Sequence, residues 1–417
     1  MVREKLGTLI HSNYFIPLCI ASSIIVRVFW ICLIPVEPVS DFNFYFQRGL
    51  DIANGAGYSS DGIPTAYWPV GYPAFLGILF LIFGHSLFYA KLANVFIYAG
   101  IIILAYSLSK RMLRNEYAAK ITIIILAFYP NHIAYTSLMA SETIFTFMLL
   151  LGAISFISAR GRYGLLIISG LSWGLATLIK SQAIFIPAVF LLVYYKNIKS
   201  LIKSGVIVFL MLFLTIAPWV NRNNSVFGKR VLATNGGINL LIGNSRYSDG
   251  SYAWNQELES SLGDADNEAD RDTKALQLAK DYMINNPVKT ILLWPRKIFY
   301  LYAADIEGFY WNQAGMLKSD NNIKKYAFLL MKIVAQLYYM FTIGLFFAAL
   351  PRVLHNGRHS HIGLYFILYF TFVSLIFFGT PRFHFPLIPW VAIYSGIKGA
   401  IILKGRFPPR IAVADSP

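Results

Sequence analysis

Charged residues are scarce in this chain, and acidic ones scarcest. Only 13% of the 417 residues are charged, 36 Lys and Arg against 20 Asp and Glu, while 57% are hydrophobic. Soluble proteins carry about 25% charged residues, so the composition excludes an ordinary soluble domain and leaves an integral membrane protein. The apolar runs are long and continuous, without period-two alternation, which disfavours a β-barrel and leaves helices. There are only two cysteines, Cys19 and Cys32, both in the first apolar segment, so no disulfide framework is expected. The HExxH, CxxC, phosphate-loop and dinucleotide patterns are absent, and no histidine cluster suggests zinc. A reaction fuelled by a soluble nucleotide is therefore not expected, and a donor already in the membrane is more natural. The first apolar segment follows MVREKLG without a small-residue cleavage site and is read as a retained anchor.

Ten segments can span as helices: 14–36, 87–109, 118–131, 139–158, 164–179, 183–196, 202–220, 326–350, 362–379 and 384–403. Basic residues orient them. One set of short loops holds Arg3 and Lys5; Lys110, Arg111, Arg114 and Lys120; Arg160 and Arg162; Lys196, Lys199 and Lys203; Arg352 and Arg358; and Lys404, Arg406 and Arg410. The opposite short segments hold only Arg48, Lys180 and Arg382. The alternation puts both termini in the cytoplasm and explains the net charge of +16 without a nucleic-acid partner. The chain is expected to form one transmembrane domain over 1–417, with extracytoplasmic regions at 37–86 and 221–325.

The same alternation bears on YPAFLGILFLIF in the first of these regions. As a full crossing it would put every later basic loop on the wrong side, so it is read as an interfacial helix of about 12 residues. The second region opens with NRNNSVFGKRVLATNGGINLLIGNSRYSDGSYAW, whose Asn and Gly read as turns and irregular backbone. Ala269 to Tyr282 reads as a surface helix ending near Asn286 and Pro287, and ILLWPRKIFYLYA as an interfacial helix or shallow hairpin.

The rarity of acids makes them informative. Only Glu4, Glu116 and Asp415 fall on the inner face, and Glu142 alone lies inside a membrane segment, where an ionisable group is costly and function is the default reading. Glu142 suits either a helix start capped by Ser141 or Ser137, or a second carboxylate facing Asp41 across an outer cavity. Asp41, just past the first helix, suits either the N-cap of an amphipathic DFNFYFQRGLDIAN helix or a general base or metal-binding carboxylate. Asp51 and Asp61 read as ordinary loop acids, in a turn-rich stretch. On the basic side, Lys180, Arg222, Arg382 and the neighbouring His384 suit either headgroup snorkelling or the binding of a phosphate-bearing lipid, with acids activating a nucleophile and cations stabilising a leaving phosphate. Tyr67, Trp68, Tyr72, Trp219, Trp254 and Trp311 read mostly as an interfacial aromatic belt, although such faces also stack on sugars.

These stretches resemble bacterial GT-C glycosyltransferases of the protein mannosyltransferase and aminoarabinose transferase type, called glycosyltransferase family 39-like. The matching segments are SDFNFYFQRGLDIANGAGY, PTAYWPVGYPAFLGILFLIFG, YPNHIAYTSLMASETIFTF, GLSWGLATLIKSQAIFIP, APWVNRNNSVFG with TNGGINLLIGNS, and TPRFHFPLIPWVAI, in order from 40 to 395. The resemblance implies an all-α polytopic GT-C fold of about ten transmembrane helices, with interfacial helices in the first extracytoplasmic loop. It implies inverting transfer of a sugar from a polyprenyl-phosphate donor to a lipid-linked glycan or other envelope acceptor, on the outer face of the inner membrane. Asp41 takes the catalytic position, and Lys180, Arg382 and Arg222 the donor-phosphate positions; Glu142, His384, Tyr67 and Asn235 are supporting candidates. Many protein mannosyltransferases carry an adjacent Asp-Glu pair, but here Asp41 is followed by Phe42, so a protein acceptor is not implied. No cofactor is required by the sequence, and a divalent metal stays open. A transporter or flippase of lipid-linked sugars and a non-catalytic polysaccharide-assembly protein are the alternatives from other classes.

Overall fold

Long apolar runs become helices because a bilayer offers no partner for an unpaired backbone amide. The computed structural model describes residues 12–159, 161–194, 198–316, 322–355 and 357–404. Arg3, Glu4, Lys5, Arg160, Lys196, Arg406, Arg410 and Asp415, used above for orientation, lie outside the described residues. Among the described residues, five helices are long and apolar enough to cross a membrane: Phe15–Leu33, Leu87–Leu113, Ile198–Phe227, Lys324–His355 and Pro381–Leu403. Five shorter apolar helices accompany them: Gly71–Phe83, Glu142–Ser158, Tyr163–Ile179, Ser181–Phe190 and Ile362–Ile376. Apart from one two-residue hairpin, Ser59–Ser60 with Ile63–Pro64, the described fold is helical.

Several boundaries differ from the sequence reading for local reasons. The expected span 118–131 stops at Ala127, giving a 12-residue helix begun by Asn115, whose side chain accepts from the Ala118 amide. The buried Arg27 guanidinium donates to the carbonyls of Leu126 and Ala127 at that end, and Pro130 opens the short helix Pro130–Tyr135. The expected span 202–220 becomes the 30-residue helix Ile198–Phe227 and carries Pro218 inside it, so the Asn221–Phe227 stretch is helix rather than irregular chain. GGINLLIG is also a helix, Gly236–Gly243. Its start is supplied from outside: Asp272 accepts the Ile238 amide at 3.0 Å, and Gly237 lies so close that a Cβ would come 2.0 Å from the Asp272 carbonyl oxygen.

The surface helix in the second region runs Glu268–Asn285, with the Asn267 side chain accepting from the amides of Ala269 and Asp270. ILLWPRKIFYLYA contributes to two short helices, Pro287–Leu292 and Trp294–Tyr302, each with a proline in its first turn. Glu268 ties this region to the first loop. Its carboxylate accepts from the Thr65 hydroxyl, the Ala66 amide and the Thr234 hydroxyl.

Within the first loop, the helices Asp41–Ala53 and Gly71–Phe83 cross where Gly49 and Gly77 meet. A Cβ on Gly49 would lie 2.8 Å from Leu76 Cβ, and one on Gly77 would lie 2.7 Å from Ile52 Cγ2. Gly71 then seats the second of these helices on the end of Tyr163–Ile179, where a Cβ would come 2.7 Å from the Leu178 carbonyl carbon and oxygen. Backbone cannot swing aside as a side chain can, so Gly71→Val should lower stability by about 1–3 kcal/mol, the usual scale of overpacking. Thermal melting in detergent checks this, and an unchanged melting temperature contradicts the contact.

Candidate active site

Four segments distant in sequence converge on one ionic group. Asp41 lies in the first turn of Asp41–Ala53, and the N-cap position belongs to Ser40, whose backbone sits at φ 52° and ψ −132°. A residue with a Cβ pays strain in that conformation, and it fixes the chain direction immediately before Asp41. Glu142 opens the Glu142–Ser158 helix. Lys180 ends Tyr163–Ile179, and Arg382 lies in the 3-10 turn Pro381–Leu387 that leads into the last helix.

Arg382 joins the two carboxylates. Its Nη1 donates to Asp41 Oδ2 at 2.9 Å, its Nε donates to Glu142 Oε1, and its Nη2 reaches Glu142 Oε2 at 3.5 Å. Lys180 Nζ donates to Glu142 Oε1 at 2.8 Å. Side-chain exposure grades across the group: Glu142 0%, Arg382 13%, Lys180 18% and Asp41 32%. Asp41 is thus the group that an incoming molecule meets, and Asp41 Oδ1 accepts no hydrogen bond among the described residues. The Arg382 guanidinium also lies over the Phe42 ring, 4.9 Å from its centroid.

Glu142 is therefore an ionic partner, beyond its place at a helix start. The serines expected to cap that helix do not: Ser141 Oγ is buried without a partner, and Ser137 Oγ bonds the Ala134 carbonyl and Asn312. Tyr45, Tyr72 and Tyr135 enclose the group and are buried. Burial raises the Tyr72 phenol well above its usual pKa, and the nearby Glu142 charge adds to this. Tyr67 is pushed up to about 12, first by burial and then by the charges of Tyr252 and Asp41. Tyr252 is raised by burial and by Asp41 as well, so both phenols lie within the field of that carboxylate.

Other candidates lie elsewhere. Arg222 is occupied with the first loop, donating to the carbonyls of Thr65 and Tyr58 at 2.9 Å each and stacking on Trp219; it holds the hairpin and does not join the Asp41 group. His384 belongs to a second buried cluster. Its Nδ1 donates to the Leu301 carbonyl, and its Nε2 lies 3.2 Å from Asp305 Oδ1 without hydrogen-bond alignment. Tyr129 and Asn131 donate to the same Asp305. Asn235 is buried at the start of Gly236–Gly243, and no hydrogen bond links it to the Asp41 group. The belt reading also fails for Tyr72, fully buried against Tyr45, and for Trp311, packed edge-on against Phe42. Asp51 pairs with Arg48 at 2.7 Å. Among the described residues, no group of three or more His, Cys, Asp or Glu side chains could hold a metal ion.

Sequence reasoning missed the helix Glu307–Gly315, whose Trp311 packs against Phe42, the residue after Asp41. Asn131 Oδ1 accepts the Gly308 amide, Asn312 bonds Ser137, Trp30 and the Ala134 carbonyl, and the Gly315 carbonyl accepts the Glu37 amide. The pair Asp305 and Glu307 in AADIEGFYWNQAG, acids straight after an apolar stretch, was the available signal. Burial raises the Glu307 carboxyl above its usual pKa.

Residues 68–220, less than half of the chain, match the family described as dolichyl-phosphate-mannose-protein mannosyltransferase. No curated protein sequence matches the chain. Among solved structures, the chain is similar to ArnT from Cupriavidus metallidurans bound to undecaprenyl phosphate, with a TM-score of 0.60 at 13% identity over 93% of this chain and 60% of that one. It is also similar to the Archaeoglobus fulgidus oligosaccharyltransferase in complex with zinc and sulfate, with a TM-score of 0.56 at 14% identity over 94% of this chain and 49% of that one. The Archaeoglobus enzyme with an inhibitory peptide and a dolichol-phosphate gives 0.54 at 13% identity over 94% and 51%. The chain thus spans 60% of the first of these proteins and about half of the other. At such identity the likeness shows the fold: an all-α polytopic membrane protein of GT-C-like architecture.

An ammonium cannot bridge two carboxylates as the planar guanidinium does. Arg382→Lys should therefore cost about 2 kcal/mol, the scale of a lost hydrogen bond to a charged group. Denaturation in detergent checks this, and wild-type stability in Arg382→Lys contradicts the bridging role.

Proposed function

We propose that this chain is a glycosyltransferase that moves a sugar, with inversion, from a polyprenyl-phosphate donor to a lipid-linked glycan or other envelope acceptor. The observation that carries this reading is an accessible carboxylate oxygen on Asp41, set beside two cations that keep unused N–H donors. A guanidinium has five N–H groups and an ammonium three. Arg382 spends three and Lys180 one on carboxylates among the described residues. The remainder suits phosphate oxygens. The match of residues 68–220 to the family described as dolichyl-phosphate-mannose-protein mannosyltransferase and the likeness to proteins solved with undecaprenyl phosphate or a dolichol-phosphate support the same donor class.

In this reading the acceptor hydroxyl hydrogen-bonds to Asp41 and attacks the anomeric carbon from the face opposite the phosphate. The O–H proton passes to Asp41 as the glycosidic bond forms. The anomeric C–O bond breaks with its electron pair on the phosphate oxygen, where Lys180 and Arg382 offset the added charge. Tyr67 stands near the same carboxylate as a surface for the sugar or the acceptor. Arg222, His384 and Asn235 act through the framework, by holding the cap and the bundle that position the site.

The topology proposed with this function has ten crossings and cytoplasmic termini, with 37–86 and 221–325 outside the inner membrane. The single acid at Asp41, followed by Phe42, favours a glycan over a protein acceptor. Replacing Asp41 with Asn should reduce transfer by about 10²–10⁴-fold, the range of a lost general base. Polyprenyl-phosphate affinity should be no weaker, since an anion near the phosphate has been removed. Radiolabelled sugar transfer with purified protein, alongside a direct binding measurement, checks both, and near wild-type turnover in Asp41→Asn would sink the base assignment.

A further inference from the structure

Glu142 has no part in the bond-making steps above, yet it is the most buried member of the ionic group and the one bonded to both cations. We propose that Glu142 is a positioning residue: it anchors one edge of the Arg382 guanidinium and offsets its charge, so that Nη1 can pass from Asp41 to the departing phosphate. This rests on the polyprenyl-phosphate reading of the site.

The division of donors on Arg382 supports the role. Glu142 takes the Nε and Nη2 edge, whereas Asp41 holds only Nη1. The first attachment lies wholly within the protein, and the second ends on the most exposed carboxylate of the group. One edge is therefore built to stay and the other to be exchanged. Lys180 shares the same buried anchor, with its ammonium near the Phe145 and Phe383 rings.

Charge counting makes the exchange follow from the chemistry. Asp41, Glu142, Lys180 and Arg382, all ionised, sum to zero. A polyprenyl-phosphate sugar is a phosphodiester and brings one negative charge. When the acceptor proton moves to Asp41 and the anomeric C–O bond breaks, Asp41 loses its charge and the phosphate, now a monoester, gains one. The total is unchanged, but the negative charge that held Nη1 has moved to the leaving group. Nη1 can follow it while Glu142 keeps the guanidinium in place. Without the Glu142 charge, the two cations would bind donor and product phosphate too strongly.

The test is Glu142→Gln, which keeps the size and hydrogen-bonding capacity while removing the charge. Polyprenyl phosphate should bind about tenfold more tightly, as removing a unit charge a few ångströms from the phosphate implies in a partly screened site. The rate constant kcat should fall about a hundredfold, the scale of misplaced electrostatic support, so donor KM and kcat fall together. Glu142→Asp, which retains the charge, should keep the wild-type affinity and recover part of kcat. A merely structural role predicts weaker binding with a lowered melting temperature in Glu142→Gln. Unchanged or weaker polyprenyl-phosphate binding by Glu142→Gln would overturn the assignment alone. A wild-type protein that binds no polyprenyl phosphate would overturn it together with the donor reading.

Discussion

The rest of the structure depends on the Arg382 guanidinium being held between Asp41 and Glu142. An ion buried near a bilayer is tolerated only when paired, and removing one partner leaves another exposed to the full desolvation penalty. Here the pairing draws together the first loop, the start of Glu142–Ser158, the end of Tyr163–Ile179 and the turn before the last helix. The graded exposure from Glu142 to Asp41 separates a fully buried carboxylate from an accessible one.

A second set of contacts supports that group from above. Glu268 binds Thr65, Ala66 and Thr234, Arg222 holds the carbonyls of Tyr58 and Thr65, and Lys229 pairs with Asp270 at 2.6 Å. The cap is thus fixed to the first loop by polar bonds, beside an apolar cluster of its own in which Ile238, Leu241, Leu258 and Leu262 are buried and against which Tyr67 of the first loop packs. Below, Glu307–Gly315 is pinned to Asn131, Ser137 and Glu37, and its Trp311 supports Phe42, the residue beneath the Arg382 guanidinium.

The sequence was most legible where one physical cause dominates. Continuous apolar runs mark the long helices, since lipid leaves the backbone no alternative. YPAFLGILFLIF reads as one short helix, and the observed helix, Gly71–Phe83, has 13 residues. Asp41, Glu142, Lys180 and Arg382 were conspicuous as charges out of place, and the structure joins all four. Arg222 and His384 were conspicuous for the same reason, but polarity in a sequence does not distinguish a ligand site from a buried bond to a carbonyl. The GGINLLIG helix escaped because its start depends on Asp272, 34 residues away from Ile238, against a local pattern that favours turns. Glu307–Gly315 escaped similarly: its contacts to 131–137 and Glu37 are tertiary, with no local periodicity to announce them.

The account turns on a new glycosidic bond being made at the expense of a polyprenyl-phosphate sugar. The most direct measurement is mass spectrometry of lipid-linked and envelope glycans after purified protein in vesicles has been supplied with such a donor. The account predicts an acceptor heavier by one sugar for each polyprenyl phosphate released. Movement of the intact donor across the vesicle membrane, with no new glycosidic bond, would contradict it.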